Sequence, residues 1–472
     1  MMDTKALRQK ILDLAIHGKL VPQDPNDEPA SVLLERIKAE KERLIKEGKI
    51  KRSKKSAKSS DTPHYENVPF EVPSSWVWCR LEDIAYVASG STPDKTCFVE
   101  NGVPYIKMYN LRNQKIDFAY HPQYITEEVH NGKLQRSRTE VGDLIMNIVG
   151  PPLGKLAIIP TTLPQANFNQ AAVLIRPYKF KEVLVSYLKV YLEEMSEINS
   201  IATRGSAGQV NISLTQSQNM RIPIPPLNEV RRIIEEVSKY DILIDSLKQN
   251  ITDIQNLIAY TKSKILDLAI HGKLVLQDPN DEPAIELLKR INPDFTPCDN
   301  GHSRKLPQGW AYCQLSNVLK ITMGQSPKGD SLNNKRGIEF HQGKICFSDK
   351  FLLESGIFTN EPTKIAEPNS ILLCVRAPVG VVNITKNQIC IGRGLCALTP
   401  FEGNVDFYFY LLQTLQDSFD NQSTGTTFKA ISGEIIRNEN IILPPLAEQQ
   451  RIVQKIEELF HVFDNIQNAL EV

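Results

Sequence analysis

The chain has 472 residues, of which 41% are hydrophobic and 23% charged, and its formal net charge is zero. This length allows two or three domains with separate cores, and the composition is that of a globular protein rather than a disordered or fibrous one. The balanced charge argues against a uniformly basic surface that would hold a polyanion nonspecifically.

The chain start and the cysteines bear on compartment and metal binding. The first residues, MMDTKALRQK, lack the apolar segment of a signal peptide, and no run approaches the ~18 apolar residues of a membrane span. We therefore expect a cytoplasmic protein. The eight cysteines show neither CxxC pairs nor histidines at zinc spacing, so we expect buried thiols and no metal site.

A twenty-residue segment occurs twice in the chain. ILDLAIHGKLVPQDPNDEPA at residues 11–30 returns at residues 265–284, and Pro22 against Leu276 is the only difference. The apolar spacing predicts a helix end, and the glycine after each histidine is expected to terminate that helix. The histidine itself is expected to interact with the helix C-terminus rather than with a metal.

The second part of each repeat, DPNDEPA, predicts the start of a new helix. Asp27 and Asp281 are the expected N-caps, with Pro29 and Pro283 in the first turn.

Two further landmarks are duplicated in the same order. VPSSWVWCRLEDIA at 72–85 corresponds to LPQGWAYCQLSNVL at 306–319, and IPIPPLNEVRRIIEEV at 222–237 corresponds to IILPPLAEQQRIVQKI at 441–456. The fixed order indicates that the whole chain is an internal duplication. The tryptophan of each opening motif is expected to anchor a core, and each PPL is expected to lead into a long helix.

Between the landmarks, each half has a mixed α/β pattern. Hairpins are predicted within 142–160 and 369–385, and helices within 186–202 and 406–421. The tract KEGKIKRSKKSAKSSDTPHYE, residues 46–66, is rich in Lys and Ser and predicts a flexible linker, with nonspecific phosphate contact as the alternative.

After each PPL, apolar residues recur at alternating spacings of three and four, which is typical of a coiled-coil seam. The second run stops at the C-terminus, and the first residues of the chain continue its pattern. The two chain ends are therefore predicted to rebuild together the helix that is continuous in the middle. The seam positions are Val230, Ile233, Val237, Tyr240, Ile244, Leu247, Ile251, Ile254, Ile452, Ile456, Leu459, Phe463, Ile466 and Leu470.

Motifs for catalysis are not found in the sequence. GPPLGKL and GIEFHQGKI miss the spacing and the hydroxyl of a P-loop, and the PPL segments lack the flanking features of an amino-methyltransferase motif. No nuclease constellation of carboxylates and lysine is present either. We therefore expect no catalytic residues and no metal ligands.

Taken together, the duplicated twenty-residue segment, the Trp-x-x-Cys-x-Leu openings, the GSAGQVNIS and STGTTFKAIS loops and the PPL-led helices resemble the specificity subunits of type I restriction–modification systems. The resemblance covers essentially the whole chain. It implies an α+β fold class: two target recognition domains separated by a long antiparallel two-helix coiled coil, in a pseudo-twofold, circularly arranged repeat.

The resemblance also implies a division of labour. The chain would read a bipartite double-stranded DNA target without catalysing anything itself, as a component of a type I deoxyribonuclease and adenine methyltransferase complex. Its partners would be two modification subunits, which use S-adenosylmethionine, and restriction subunits, which use ATP and Mg²⁺; this chain would bind no cofactor. Two alternatives stay open, a stand-alone DNA methyltransferase and a coiled-coil scaffold that binds only protein.

The expected segments are a helical N-terminal segment with basic linker (1–65), a first recognition domain (66–226), a central helix with linker (227–305), a second recognition domain (306–445) and a C-terminal helix (446–472). Base-reading residues are expected among polar and basic side chains in predicted loops, where a solvated surface role is the alternative. The candidates are Lys107, Tyr109, Asn110, Arg112, Arg136, Arg138, Arg204, Gln209, Lys328, Lys335, Arg336, Arg376, Arg393 and Lys429.

Overall fold

The structure is a computed structural model that describes residues 3–52, 68–150, 153–198, 211–297, 306–425 and 429–471. The chain divides into two compact units, a first unit of residues 3–249 and a second unit formed mainly by residues from 250 onward. Both units mix helices and strands, which confirms the expected fold class.

The elements of the first unit begin with helices and continue into short strands. Its helices are α1 (Thr4–Ile16), α2 (Ala30–Lys46), α3 (Leu81–Ile84), α4 (Glu127–Asn131), α5 (Lys181–Ile198), α6 (Leu214–Gln218) and the first part of α7 (Leu227–Ile270). Its strands are β1 (Val77–Arg80), β2 (Ala85–Ser89), β3 (Phe98–Val99), β4 (Val103–Ile106), β5 (Leu111–Arg112), β6 (Lys115–Ile116), β7 (Tyr124–Ile125), β8 (Leu144–Asn147), β9 (Leu156–Ile158), β10 (Asn167–Phe168), β11 (Ala172–Pro177) and β12 (Arg221–Ile224).

The second unit repeats this order. After the rest of α7 come the helices α8 (Ala284–Ile291), α9 (Leu315–Val318), α10 (Val405–Thr414), α11 (Gln416–Gln422), α12 (Gly433–Asn438) and α13 (Leu446–Glu471). Its strands are β13 (Ala311–Gln314), β14 (Leu319–Met323), β15 (Leu332–Asn333), β16 (Ile338–His341), β17 (Phe358–Thr359), β18 (Ile365–Ala366), β19 (Ile371–Cys374), β20 (Val382–Ile384), β21 (Ile389–Ile391), β22 (Leu395–Pro400) and β23 (Asn440–Leu443). The predicted hairpins and helices are thereby confirmed in both halves, although the second helix is interrupted at Leu415.

Most strands of the two units correspond to one another. β1 pairs with β12 as β13 pairs with β23, and the order β2-β11-β8-β9 is repeated by β14-β22-β19-β20. A mixed sheet follows in each unit, β10-β4-β7-β3 in the first and β18-β21-β16-β17-β15 in the second, and each contains one parallel pair. The first unit adds the β5-β6 hairpin and the second adds β18. The internal duplication therefore extends to topology.

Each unit has its own core, and the two tryptophans lie in them as predicted. Trp76 is 5% exposed and Trp310 is 7% exposed. The position where the two long repeats differ lies outside the cores, since Leu276 is 90% exposed. A proline or a leucine is therefore tolerated there without repacking. The described cysteines are free thiols, of which only Cys97 and Cys346 are partly exposed.

The glycines that end the repeated helices are confirmed as terminators. Gly18 and Gly272 have φ values of +66° and +65°, which favour glycine. A Cβ on Gly18 would also lie 2.5 Å from the Pro73 side chain. The preceding histidine caps the helix, because the His17 Nδ1 lies 2.7 Å from the Asp13 carbonyl oxygen, as His271 does from Asp267.

The predicted aspartate caps are wrong. α2 and α8 begin at Ala30 and Ala284, so the residue next to each helix start is the proline, which has no side-chain acceptor. Asp27 instead pairs with Arg232 at 2.6 Å, and Asp281 pairs in the same way with Arg451. The carboxylates are three residues before the helix, and they bind the arginine of the PPL-led helix instead.

The long helices begin where the PPL motifs predict, at Leu227 and Leu446. α7 has 44 residues, or about 66 Å at ~1.5 Å per residue. Six of the expected seam residues are buried, namely Val230, Ile233, Val237, Ile244, Ile452 and Ile456. Four more are partly buried, namely Ile251, Leu459, Phe463 and Leu470.

The other four seam residues differ from the prediction. Tyr240, Leu247, Ile254 and Ile466 are 36–42% exposed. Within the units, the ion pair Arg8–Asp241 joins α1 to α7, and the ion pair Lys262–Asp464 joins α7 to α13. Leu247 and Ile254 lie on α7 between these two ion pairs, where Ile244 and Ile258 are buried. One row of the apolar seam on α7 is therefore covered in this stretch, while the row that contains Leu247 and Ile254 is exposed.

A polar cluster fixes each globular region to its long helix, and we call it the junction clamp. In the first unit it consists of Gln23, Trp76 and Glu229, and in the second of Gln277, Trp310 and Glu448. The indole N–H of Trp76 donates to the Glu229 carboxylate at 3.0 Å, and that of Trp310 donates to Glu448 at 2.9 Å. The glutamine of each clamp donates to the same carboxylate.

The clamp explains why the twenty-residue segment is kept in both halves. It brings together one residue from the repeat, one from the tryptophan motif and one from the PPL-led helix. Glu229 is 1% exposed and Glu448 is fully buried. A buried carboxylate must keep its hydrogen bonds, because losing one costs about 1–3 kcal/mol or more. The three duplicated landmarks therefore constrain one another.

We expect Glu229→Gln to change how stability depends on pH. Burial raises the pKa of the Glu229 carboxyl above its ordinary value of 4.5, against the opposing effect of the hydrogen bonds from Gln23 and Trp76. A carboxyl group whose pKa is higher in the folded than in the unfolded state stabilises the fold. This stabilisation is fully present at a pH below the unfolded-state pKa, and it is lost as the pH rises through the folded-state pKa. The free energy of unfolding of the wild type should therefore fall, relative to that of E229Q, as the pH rises above about 4.5.

Urea unfolding followed by tryptophan fluorescence at a series of pH values above 4.5 measures this difference. Glu235→Gln is the matched control, since Glu235 is exposed on the same helix. The stability of E235Q relative to the wild type should change less with pH over this interval. If E229Q and E235Q gave the same pH profile, the buried carboxylate would not be ionising in the way described.

Candidate nucleic-acid interface

In both units, a strand-to-strand turn packs against a glycine-led loop. The loops are residues 90–93 after β2 and 324–327 after β14, and the turns are 169–171 between β10 and β11 and 392–394 between β21 and β22. In each unit, the backbone amide of the first loop residue donates a hydrogen bond to the strand that follows the turn. The amide of the second loop residue donates to the strand that precedes the turn. These hydrogen bonds are 2.9–3.1 Å long in both units. The two units therefore build this surface on the same backbone frame.

Glycine is required where loop and turn touch. A Cβ on Gly90 would lie 2.0 Å from the Asn169 carbonyl oxygen, and one on Gly324 would lie 2.1 Å from that of Gly392. Any side chain at these two positions would push the turn away from the loop. The sequence patterns GSTP and GQSP mark these loops, although they gave no candidate in the sequence analysis.

In the second unit, two predicted arginines meet at a cleft of about 140 Å³. Arg393 comes from the 392–394 turn and Arg376 from the loop between β19 and β20. Lys344 and Gln342, from the segment after β16, complete the polar lining. Neither arginine nor Lys344 forms an ion pair within the described ranges, so their charges are available to an anionic ligand.

The positive charge of the cleft comes from these side chains and not from the neighbouring histidine. His341 ends β16, is 2% exposed and accepts a hydrogen bond from the Gly392 amide through its backbone carbonyl. Burial lowers the pKa of its imidazole, with Glu339 at 3.2 Å acting in the opposite direction.

The other candidates in the second unit do not line the cleft. Lys328, Lys335 and Arg336 are exposed near β15, and the latter two donate their backbone amides to the Asn333 side chain. Lys429 is exposed, and its ammonium pairs with Asp420 at 2.7 Å. Its backbone carbonyl accepts from the Ala377 amide and so holds the loop beside the cleft.

The first-unit candidates after β4 form a compact aromatic and basic loop. Lys107 lies over the Phe98 ring at 5.6 Å, and the Tyr109 hydroxyl donates to the His121 carbonyl. The Arg112 guanidinium stacks on Tyr120 at 4.0 Å.

Asn110 does not offer the contact that was predicted for it. It is 1% exposed, its oxygen accepts from the Lys107 amide, and its NH₂ donates to the carbonyls of Asp117 and Tyr120. All its hydrogen-bonding groups are used inside the loop. Asn110 therefore shapes the loop, and the prediction of a base contact is corrected.

The remaining first-unit candidates lie near α4. Arg136 is exposed and donates to the Ser91 hydroxyl at 2.8 Å, which places it on the glycine-led loop. Arg138 is partly buried and binds the His130 carbonyl and the Asn131 side chain, so it closes the end of α4. Arg204 and Gln209 lie outside the described residues.

Several polar residues at this surface were missed by the sequence reasoning. They are Thr92 and Gln170 in the first unit and Gln325, Gln342 and Lys344 in the second. Gln170 is exposed at the tip of the 169–171 turn, where the Thr92 hydroxyl donates to its side-chain oxygen. The strand pairing of the structure reveals the equivalence of Gln170 and Arg393, which occupy the same position of matching turns.

The described residues contain no group of three or more His, Cys, Asp or Glu side chains that could hold a metal ion. None of the helices in the described ranges combines the length and the apolar character that crossing a bilayer requires.

The sequence matches the family model "Type I restriction modification DNA specificity domain" twice, at residues 73–256 and 307–472. The chain belongs to this family. The two matches coincide with the two copies of the duplicated fold, and each includes the glycine-led loop and the matching turn. The family is one of DNA sequence recognition, and specificity subunits are the non-catalytic components of these systems.

Curated relatives and a solved structure agree with the family. The chain is 28% identical to the putative MjaX specificity subunit of Methanocaldococcus jannaschii, over 82% of this chain and 88% of the relative. It is 28% identical to the EcoEI specificity subunit of Escherichia coli, over 99% of this chain and 91% of the relative. A chain from a structural study of complex assembly in a type I R-M system is 25% identical, with a TM-score of 0.57 over 85% of this chain and 94% of that one.

As a specificity subunit, the chain recognises DNA and assembles with other restriction–modification subunits. Neither alternative, a stand-alone methyltransferase or a protein-binding scaffold, is favoured by these matches. The duplicated surface of loop and turn is accordingly the candidate DNA interface of each half.

Proposed function

We propose that each unit reads one half of a bipartite DNA target, and that α7 sets the distance between the two halves. The observation that carries this proposal is the duplicated frame with different surface side chains. The loop and turn have the same backbone hydrogen bonds in both units, while one turn presents Gln170 and the other Arg393. A shared frame with exchanged side chains suits two readers of different sequences.

The proposed partners are two modification subunits and the restriction subunits of the same system. Phosphate contacts from these partners would supply affinity that the chain lacks, since its net charge is zero. S-adenosylmethionine, ATP and Mg²⁺ would be used by the partners, and the chain would bind none of them. The complex would act in the cytoplasm.

Reconstitution with the modification subunits tests this proposal. The complex is expected to methylate adenine at one bipartite motif, which single-molecule sequencing of treated DNA identifies. The isolated chain is expected to turn over neither S-adenosylmethionine nor ATP. Methylation by highly purified chain alone would instead support a stand-alone methyltransferase. An assembled complex that protects no DNA in a footprint would support a scaffold.

A further inference from the structure

We propose that Gln170 and Arg393 specify the base at corresponding positions of the two half-sites, adenine for the first unit and guanine for the second. The inference rests on the proposed function, because it names the bases that the two proposed readers select. It goes beyond that function in assigning residues to base types.

The two residues occupy equivalent positions by backbone geometry and not by sequence similarity. β10 pairs in parallel with β4, and β21 pairs in parallel with β16. In each unit, the residue before the position of interest donates its backbone amide to the last residue of the partner strand. Asn169 donates to the Ile106 carbonyl at 3.2 Å, and Gly392 donates to the His341 carbonyl at 2.8 Å. The next residue, Gln170 or Arg393, is exposed at the tip of its turn.

The turns are held tightly, so their tips are presented in a fixed place. Gly90 and Gly324 admit no Cβ against them, as described above. In the second unit a Cβ on Gly394 would also lie 2.3 Å from the Gln342 carbonyl oxygen. Arg393 thus lies between two glycines on a turn that backbone hydrogen bonds hold against the neighbouring strands, from the Gly392 amide to His341 and from the Val375 amide to Gly394. A fixed origin for the side chain is what hydrogen bonding to a base edge requires.

The surroundings of Arg393 favour guanine. Its guanidinium makes no ion pair within the described residues, and it lines the cleft with Arg376 and Lys344. Five N–H donors in a planar fork match the O6 and N7 acceptors of guanine, which is the commonest specific contact of arginine in the major groove. The positive charges of Arg376 and Lys344 would attract the phosphates and the base acceptor groups of DNA to the Arg393 guanidinium.

The surroundings of Gln170 favour adenine. A glutamine amide offers one acceptor and one donor group, which match N6 and N7 of adenine. The Thr92 hydroxyl donates to the Gln170 oxygen and so orients the amide, while a second lone pair of that oxygen stays available. The guanidinium of Arg136, a predicted cation of the first unit, donates to the Ser91 hydroxyl of the same loop. The first unit therefore presents an oriented amide where the second presents a free guanidinium.

The test uses the complex reconstituted with its modification subunits and reads the methylated motif by single-molecule sequencing. Arg393→Gln is expected to lower the preference for guanine at one position of one half-site by about ten- to hundredfold and to leave the other half-site unchanged. Gln170→Arg is expected to alter one position of the opposite half-site. Arg437→Gln, the same change at an exposed site of the second unit away from the cleft, should leave the motif intact.

Each outcome decides the proposal. Retention of the wild-type motif by both R393Q and Q170R would overturn it. If R393Q methylates no DNA, Arg393→Lys decides, because lysine keeps the charge but cannot form the fork; R393K should relax the guanine preference, and an unchanged preference would sink the assignment. Failure of the proposed function itself would be visible separately, as a wild-type complex without any bipartite motif.

Discussion

Exchanging residues 73–222 for the corresponding segment of a related specificity subunit is expected to replace one half of the DNA target and to leave the other half unchanged. The segment contains β2 to β11 and with them the loop and turn of the first unit. Its core residues pack within residues 3–249, so a foreign segment brings most of its own core. The motif methylated by the reconstituted complex measures the result.

The donor must keep the residues that join the segment to the rest of the chain. Trp76 lies inside the exchanged segment, whereas its partner Glu229 lies outside. A donor with tryptophan at this position preserves the junction clamp, and a Trp76→Phe version of the donor segment tests its importance for folding. The reciprocal exchange of residues 307–441 should change the other half-site. If either exchange altered both halves, the two units would not read independently.

A four-residue insertion near Gln249 is expected to lengthen the gap between the half-sites by one or two base pairs. α7 is continuous from Leu227 to Ile270 and passes from one unit into the other close to this point. Four residues add about 6 Å and rotate the following helix by little more than one full turn, at ~1.5 Å and ~100° per residue. Base pairs rise by ~3.4 Å, so the added length approaches two of them.

Repeating the sequence LKQN of residues 247–250 makes the insertion, because Leu, Lys and Gln are good helix formers and four residues are close to one helical turn. The half-site sequences should persist while the methylated motif gains one or two unspecified positions. The control places the same four residues in the tract 46–66, where the sequence predicts a flexible linker and the gap should not change. A gap that stays fixed in an assembled α7 variant would mean that the partner subunits measure the distance.

The sequence alone determined the architecture of the chain. Three landmarks repeated in a fixed order predicted the duplication, since a repeated order of motifs implies a repeated fold. The helix ends at Gly18 and Gly272 and the helix starts at the PPL motifs follow from local backbone preferences, which depend on few neighbours. The anchoring role of Trp76 and Trp310 followed from their matching positions.

Other features depended on which side chains meet in three dimensions. Asp27 and Asp281 have the local pattern of N-caps. They bind arginines instead, which are 205 and 170 residues away in the sequence. Tyr240, Leu247 and Ile254 fit the heptad repeat, yet a repeat predicts which positions are apolar and not which of them a partner covers. Ile244 and Ile258, in the same stretch of α7, are buried. These outcomes are set by long-range contacts.

The candidate DNA surface divides in the same way. Composition and loop propensity selected Arg376 and Arg393 correctly as exposed cations, but they also selected Asn110, whose amide is consumed inside its own loop. Residue type says what a side chain can bind, and only the fold decides what it is left free to bind. Gln170 and Lys344 carried no signal of their own in the sequence. Tertiary structure singled them out, because strand pairing places Gln170 where the other half has Arg393, and brings Lys344 into one cleft with Arg376 and Arg393.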